Sequence, residues 1–330
     1  MEGNNSPLLV VLTPVRNEAW ILRTFLKATS LWADIIIVSD QMSTDGSREI
    51  AAEFPKVRLI DNPNPEMHMA DSRRLMFDEV DKIDGDKIVF ALDADEFLSG
   101  DFIHSDGWNM IINSEVGDVF DWRWMNLLPG CKKYTTWLPY NWASHVGEKM
   151  WEGHFPDNNI HESRIPWPYK LRREIIIEDF CSLHFARVNV DRQKNKVRFY
   201  QISTLSKNNH ESGVRMYRMY HEVNRRKILH DVPLDVFNYY DTHGINLRDL
   251  ISSSDNGQYY LNESKRLICE LGASVFRKLD IWDQFFCSFV GCTDPRKTVD
   301  KIIRFYLYTT NNISKTFLIR AIDKILKKIY

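Results

Sequence analysis

The 330-residue chain has no strong charge bias. Its formal net charge is -2, so nothing in the overall balance calls for nucleic acid as a partner. No apolar run reaches the ~18 residues needed to cross a bilayer. The stretch Met1 to Pro7 lacks the basic-then-apolar pattern of an export signal. These two absences predict a cytoplasmic protein. Cysteine is sparse: Cys131, Cys181, Cys269, Cys287 and Cys292 are odd in number and form no repeated close pair. That argues against a disulfide framework or a clustered zinc site and predicts buried thiols in a reducing compartment. There is no internal repeat and no low-complexity tract. The apolar and charged fractions, 44% and 27%, exclude disordered and collagen-like chains.

What is present is an alternation of strand and helix signals in the first third. Leu8 to Leu12 is a continuous apolar run, the mark of a strand buried on both faces, and it ends at Thr13-Pro14. Asn17 stands where a helix N-cap is expected. Beyond it Ile21, Leu22, Phe25 and Leu26 recur at helical spacing. A β-branched run, Ile35 to Val38, opens into the turn-rich Ser39-Asp40-Gln41-Met42-Ser43-Thr44-Asp45-Gly46. A helix to about Glu53, a strand over Val57 to Ile60, a helix over Met69 to Val80 and a strand over Lys87 to Leu92 follow. Such alternation predicts right-handed crossovers and a mostly parallel sheet whose ligand binds at the carboxyl ends of the strands. Each polar cluster named here falls at such an end. Further on, Val119 to Trp124 and Glu174 to Leu183 read as strands, and the chain from Asp191 onward reads as mainly helical.

The last apolar strand of this series runs into Asp93-Ala94-Asp95-Glu96. Two carboxylates one residue apart at a strand end face one crevice and repel unless a cation compensates. Hard oxygen ligands of this kind suit Mg²⁺ or Mn²⁺ held jointly with a diphosphate; the alternative is a solvated turn. Taken in order, Thr13-Pro14-Val15-Arg16-Asn17-Glu18, Asp40 with Ser43-Thr44-Asp45-Gly46-Ser47, Arg73, and Asp93-Ala94-Asp95-Glu96 resemble the motifs of family 2 glycosyltransferases. These are inverting enzymes with the GT-A fold. The resemblance covers roughly the first hundred residues and keeps both the order and the strand-end context of the motifs.

The resemblance implies roles for single residues. Pro14, Arg16 and Glu18 would line the nucleotide pocket, and Asp40 would contact base or ribose. Ser43, Asp45 and Gly46 would shape the loop beside the nucleoside; turn chemistry and helix capping are the alternative duties. Arg73 would approach the donor phosphates or base. Here the chain reads Ser72-Arg73-Arg74 where the family has Arg-Asn, which leaves open which arginine points inward. Gln41-Met42 also departs from the small residues common at that place. Asp95 would be the direct metal ligand, Asp93 would meet metal or ribose, and Ala94 would lie between them at the donor. His184, closing the apolar run Cys181-Ser182-Leu183, would complete the metal site; a hydrogen-bonded core histidine is the alternative. Asn158-Asn159-Ile160-His161-Glu162 resembles a His-Glu element of some members, and Glu162 is the candidate general base, with Glu152 and Asp157 competing. The segment Arg187 to Tyr200 resembles a Lys-x-x-x-Tyr helix of relatives; contact with phosphates and a solvated basic face are its two readings.

The implied architecture is an α/β GT-A domain with a mainly helical C-terminal region. Residues 1–118 would bind the donor, 119–207 would form the acceptor and catalytic half, and 208–330 would be the helical region. The implied partners are a nucleotide-diphospho-sugar, with a lean toward UDP, and a glycan or lipid-linked glycan acceptor. Seven of the ten tryptophans lie between Asp95 and His184, among them Trp137 and Trp142 as candidate acceptor platforms. Near the C-terminus Leu318, Ile322, Ile325 and Ile329 recur at helical spacing among Lys315, Arg320, Lys324, Lys327 and Lys328. This helix either docks on the protein or lies on an anionic membrane surface, which would place the protein peripherally at the inner face. Three rival activities stand beside the main one. They are a phosphotransferase with Asp93 as nucleophile, a nucleotidyltransferase, for which Thr13 to Glu18 lacks the usual glycines, and a non-catalytic nucleotide-sugar-binding protein.

Overall fold

The computed structural model describes residues 6–64, 69–147, 164–165, 171–207, 211–221, 229–252 and 255–330. The first third alternates as expected. Strand β1 (Leu8–Val15), helix α1 (Ala19–Thr29), β2 (Ile35–Asp40), α2 (Ser47–Ala52), β3 (Val57–Asp61), α3 (Met69–Val80) and β4 (Lys87–Ala91) follow one another. The strands β3-β2-β1-β4 are mutually parallel. Alternate residues of each strand go to opposite faces. Val11, Ile36, Val38 and Phe90 pack under Ile21, Leu22 and Phe25 of α1 and Ala51 of α2. Val10, Leu12, Ile37 and Val89 meet Met76, Phe77 and Val80 of α3 on the other face.

The continuation is a mixed sheet. After β5 (Glu96–Leu98) and α4 (Asp106–Ile112) come β6 (Asp118–Leu127), β7 (Lys133–Val146) and β8 (Arg173–His184). Among the described residues the order is β3-β2-β1-β4-β7-β6-β8-β5. β7 runs antiparallel to β4 and to β6, β5 is antiparallel to β8, and β6 and β8 are parallel. No sequence pattern announces β7. It crosses the stretch rich in Trp and Pro, and its ladder with β6 shifts between the pairs Trp122↔Tyr140 and Trp124↔Trp137, where Pro139 has no N–H to offer. The chain then leaves through α5 (Val190–Lys207) and α6 (Gly213–His221) and returns with β9 (His230–Asp231), paired to β7, and α7 (Asn238–Thr242). It ends in α8 (Gln258–Leu271), α9 (Gln284–Val290), α10 (Thr298–Thr310) and α11 (Phe317–Ile329).

Two compact units result: Met1–Val188 with His230–Ser254, and Asn189–Leu229 with Asp255–Tyr330. The first division thus falls before α5, ahead of the expected 207/208, and a segment of the later chain rejoins the sheet. In the second unit, Arg192 and Arg198 of α5 are buried. Arg192 pairs with Asp255 at 2.8 Å, and Arg198 and Lys194 both pair with Asp283. Arg192 and Arg198 are therefore no solvated face, because their charges are met inside their own unit, while Lys194 stays exposed. The thiols also differ from expectation: Cys131 is buried, but Cys181, Cys287 and Cys292 are half-buried and Cys269 is exposed.

At the start of β6, Asp118 is fully buried and ties the adjacent strand beginnings together. Its carboxylate accepts from Arg172 at 2.9 and 3.0 Å and from Arg173 at 3.1 and 2.7 Å. Burial pushes this acid up, but the Arg173 and Arg172 hydrogen bonds outweigh it and hold its pKa at about 2. A pKa depressed from 3.8 stabilises the fold above 3.8 and loses that contribution as pH falls toward 2. With both arginines partly in water the contribution is about 1–2 kcal/mol. Asp118→Asn is expected to lower the urea midpoint at neutral pH, the gap to wild type closing between pH 4 and 2. A gap that stays constant over that range would show that the charge is not what stabilises.

Candidate active site

The strand register brings the polar clusters to one level. Val15 lies opposite Asp40, and Asp40 opposite Asp61, at the carboxyl ends of β1, β2 and β3. Leu12 lies opposite Ala91, so Asp93 emerges beside the β1 loop. The two loops after β1 and β2 are laced together. Ser43 Oγ accepts from the Asn17 N–H at 2.9 Å, Ser47 Oγ from the Glu18 N–H at 2.9 Å, and Asp45 from the Ala19 N–H at 2.9 Å. Asn17 does not cap α1. It sits at φ 57°, in the left-handed region that asparagine tolerates, and its Oδ1 accepts from the Thr44 N–H at 2.7 Å. The helix is opened by Glu18, and Asp45 of the neighbouring loop takes the first helical N–H. Gly46 opens α2 at φ 93°, a conformation in which a Cβ would be strained.

Pro14, Arg16 and Glu18 are half-buried along this loop, and Glu18 accepts from Trp20 Nε1 at 2.7 Å. Ser43 is half-buried and Asp45 exposed. The Asp40 carboxylate is buried. Its Oδ2 accepts from the Ser43 N–H at 3.3 Å, while its Oδ1 finds no hydrogen-bond partner among the described residues. A buried acceptor without a donor is costly, and a ligand N–H or O–H at this strand end would remove the cost. Of the two arginines on α3, Arg73 is buried and Arg74 exposed, so Arg73 points inward.

Around the Asp-x-Asp turn, pairing of β5 with β8 sets Glu96 opposite His184. The His184 Nε2 lies 3.6 Å from Asp95 Oδ1. Parallel pairing of β6 with β8 sets Asn126 beside His184, and Asn126 Oδ1 takes the hydrogen bond at His184 Nδ1, 2.8 Å. That bond places a proton on Nδ1 and turns Nε2 toward Asp95. Trp124 stacks flat on the imidazole at 4.6 Å and 8°. Ligand atoms of Asp95, Glu96 and His184 lie within 4.8 Å of one another, the one such cluster among the described residues. A donor set of carboxylate oxygen and imidazole nitrogen, with its imidazole already oriented, fits a divalent ion.

Glu96 is committed elsewhere. Fully buried, it accepts from Trp124 Nε1 at 2.8 Å, from the Asp93 N–H at 2.9 Å and from both nitrogens of the Arg164 fork at 2.5 and 2.8 Å. Burial pushes the Glu96 carboxyl up, to about 8, against the pull of Arg164. Burial alone would lower Arg164, but Asp93 and Glu96 together raise it. Arg164 also reaches Asp93 Oδ2 at 2.9 Å and lies over the rings of Trp142 and Trp124 at 4.6 and 5.1 Å. It therefore acts as an internal counter-cation that holds the Asp93–Glu96 turn. Ala94, between the two carboxylates, is buried.

Arg164, Trp124 and Asn126 do not stand out in the sequence as site residues. Alternation along β6 is the available signal for Trp124 and Asn126, since Trp122, Trp124 and Asn126 share one parity; for Arg164 there is none. Glu162, Glu152, Asp157 and His161 lie outside the described residues, as do Trp151, Trp167 and the side chain of Trp137. Trp142 corrects the platform expectation. It is fully buried, stacked on Trp122 at 5.5 Å, and its Nε1 donates to the Trp122 carbonyl, so it has no face left for a sugar.

A parallel βαβ half with acidic strand ends, continued by a mixed sheet that carries the histidine, is the architecture of a GT-A-type domain. Residues 10–105 match the family model described as "Glycosyl transferase family 2", and the mixed α/β sheet is consistent with the GT-A fold. This supports a glycosyltransferase-type function with a nucleotide-sugar donor and an acceptor. No curated protein matches the chain. Among solved structures, the "Crystal structure of 4-diphosphocytidyl-2C-methyl-D-erythritol synthase" aligns at 11% identity and a TM-score of 0.23. The alignment covers 28% of this chain and 47% of that one, so the chain spans about half the length of that protein, and the likeness carries no argument.

Proposed function

We propose that the protein moves a sugar from a nucleotide-diphospho-sugar to a hydroxyl of a glycan or lipid-linked glycan, with inversion at the anomeric carbon. The observation that carries this reading is the convergence of Asp95 and an oriented His184 beside the family motifs. In this reading residues 1–118 bind the donor and 119–207 receive the acceptor. The unpaired Asp40 Oδ1 takes an N–H of the base or a ribose hydroxyl. UDP is the favoured nucleotide, with Arg16 along its pocket and Arg73 approaching its phosphates or base. Asp95 and His184, with Asp93 at the rim, would hold Mn²⁺ or Mg²⁺, which supplies the Lewis acidity that neutralises the departing diphosphate. Glu162 is the proposed base. It takes the acceptor proton as the hydroxyl oxygen forms its bond to the anomeric carbon and the diphosphate leaves from the opposite face. Arg164 keeps the Asp-x-Asp turn in place during these events. In this reading the protein works in the cytoplasm.

Calorimetric titration of UDP, GDP, CDP and TDP, each with Mn²⁺, with Mg²⁺ and with EDTA, tests this directly. Binding of one nucleotide that needs the metal is expected, with UDP strongest. If none of the four binds under any condition, the donor reading falls.

A further inference from the structure

The last two helices carry an unusual division of charge and apolar surface within the second unit. After Asp294 the sequence contains only two acidic side chains, Asp300 and Asp323. Both are buried and neutralised internally. Asp300 pairs with Arg277, and Asp323 accepts from Arg218 at 2.8 and 3.1 Å and from the Tyr306 hydroxyl at 2.9 Å. Along α10, α11 and the turn between them, Arg304 pairs with Asp280. The other charges there, Lys301, Lys315, Arg320, Lys324, Lys327 and Lys328, are exposed and all positive. This stands against a net charge of -2 for the whole chain. The basic residues Arg215, Lys315, Arg320, Lys324 and Lys327 line a concavity of ≈ 610 Å³ whose one carboxylate is the neutralised Asp323.

The apolar side is equally one-sided. α11 docks through Ile319, Asp323, Leu326 and Tyr330, with Tyr330 and Leu326 in a small core with Val214, Tyr217, Ile303 and Leu307. The stripe legible in the sequence is a different one. Leu318, Ile325 and Ile329 are 67%, 64% and 70% exposed. On α10, Val299, Ile302 and Tyr306 share one stripe by their spacing of three and four, and Tyr306 is the residue that reaches α11. Ile302 and the neighbouring Phe305 are 62% and 68% exposed. Both helices thus leave large apolar side chains in water although their other faces are well packed, and no exposed acidic side chain lies among them. A protein partner would usually be met by mixed charge; uniform positive charge beside exposed aliphatic and aromatic groups complements an anionic bilayer surface.

We propose that α10 and α11 form an interfacial membrane-docking face. Ile302, Phe305, Leu318, Ile325 and Ile329 enter the headgroup–acyl boundary while the surrounding lysines and Arg320 bind anionic headgroups. This rests on the second unit alone and is independent of the transferase reading, since the test needs neither donor nor turnover. The full chain is floated with vesicles of phosphatidylcholine and with vesicles of phosphatidylcholine mixed with phosphatidylglycerol. Flotation with the mixed vesicles only, weakened by added salt, is expected. The variants L318S/I325S/I329S and K324Q/K327Q/K328Q, all at exposed positions, should each lower the vesicle partition coefficient at least about tenfold with unchanged circular dichroism. The proposal is overturned if wild type stays unbound with the mixed vesicles at low salt, or if the serine variant floats as well as wild type. It is equally overturned if sedimentation shows a dimer that the serine variant dissociates while nothing floats; the face would then belong to a second copy of the chain.

Discussion

Asp95→Ala is expected to abolish metal-dependent nucleotide binding and to lower kcat/KM by about three orders of magnitude or more. The reason is geometric. Asp95 is buried, and its carboxylate meets His184 Nε2 at 3.6 Å, so its removal takes away the oxygen donor of the pair. Loss of charge stabilisation worth several kcal/mol at the leaving group is a loss of that size, at one decade per ~1.4 kcal/mol. Asn126→Ala is a graded companion. It frees the His184 ring without touching the ligand atoms, and an orienting partner of this kind is typically worth about 10–100-fold in metal affinity. Mn²⁺ affinity, read by electron paramagnetic resonance of free ion, separates these effects from catalysis. Wild-type affinity in Asp95→Ala would remove this residue from the metal site.

Above about pH 8, where Glu96 is ionised, Arg164→Met is expected to destabilise the first unit by about 3–5 kcal/mol, because it leaves the fully buried carboxylate without its counter-cation. The fork supplies two of the four donors to Glu96 and the bond to Asp93 Oδ2, and its flat face covers Trp124 and Trp142. The double variant Arg164→Met with Glu96→Gln should recover part of that loss, since the second change removes the stranded charge. Urea unfolding followed by tryptophan fluorescence reports chiefly on this unit, because Trp282 is the single tryptophan of the other. An Arg164→Met midpoint equal to wild type, or a double variant weaker than the sum of the single ones, would mean that Arg164 is a bystander at the turn.

Much of the parallel half of the sheet is legible in the amino-acid sequence. β1, β2 and β4 are buried on both faces, so their apolar runs are continuous, and the polar residues that interrupt them mark the strand ends. Order along the chain then places Asp40, Asp93 and Asp95 at one edge of the sheet, since parallel strands joined by helices must align their carboxyl ends. What sequence alone determined was therefore the local periodicity, the family resemblance and the edge of the sheet at which the acidic strand ends gather.

The rest depended on pairings between distant segments. β7 runs antiparallel into the middle of the sheet, and its proline conceals it. The division before α5, with residues 230–254 returning to the sheet, follows from contacts that no local pattern encodes. α11 shows the same limit: its apolar stripe is visible in the sequence, but which face docks was decided by Arg218 and Tyr306 reaching Asp323 from other helices. Arg164 meets Glu96 across 68 residues and Asp93 across 71. A lone arginine carries no periodicity and no motif, and its role exists only where folding buries two carboxylates beside it. Short-range sterics and burial write themselves into the sequence; electrostatic pairing of buried charges does not, because any sufficiently long chain can bring the partner from anywhere.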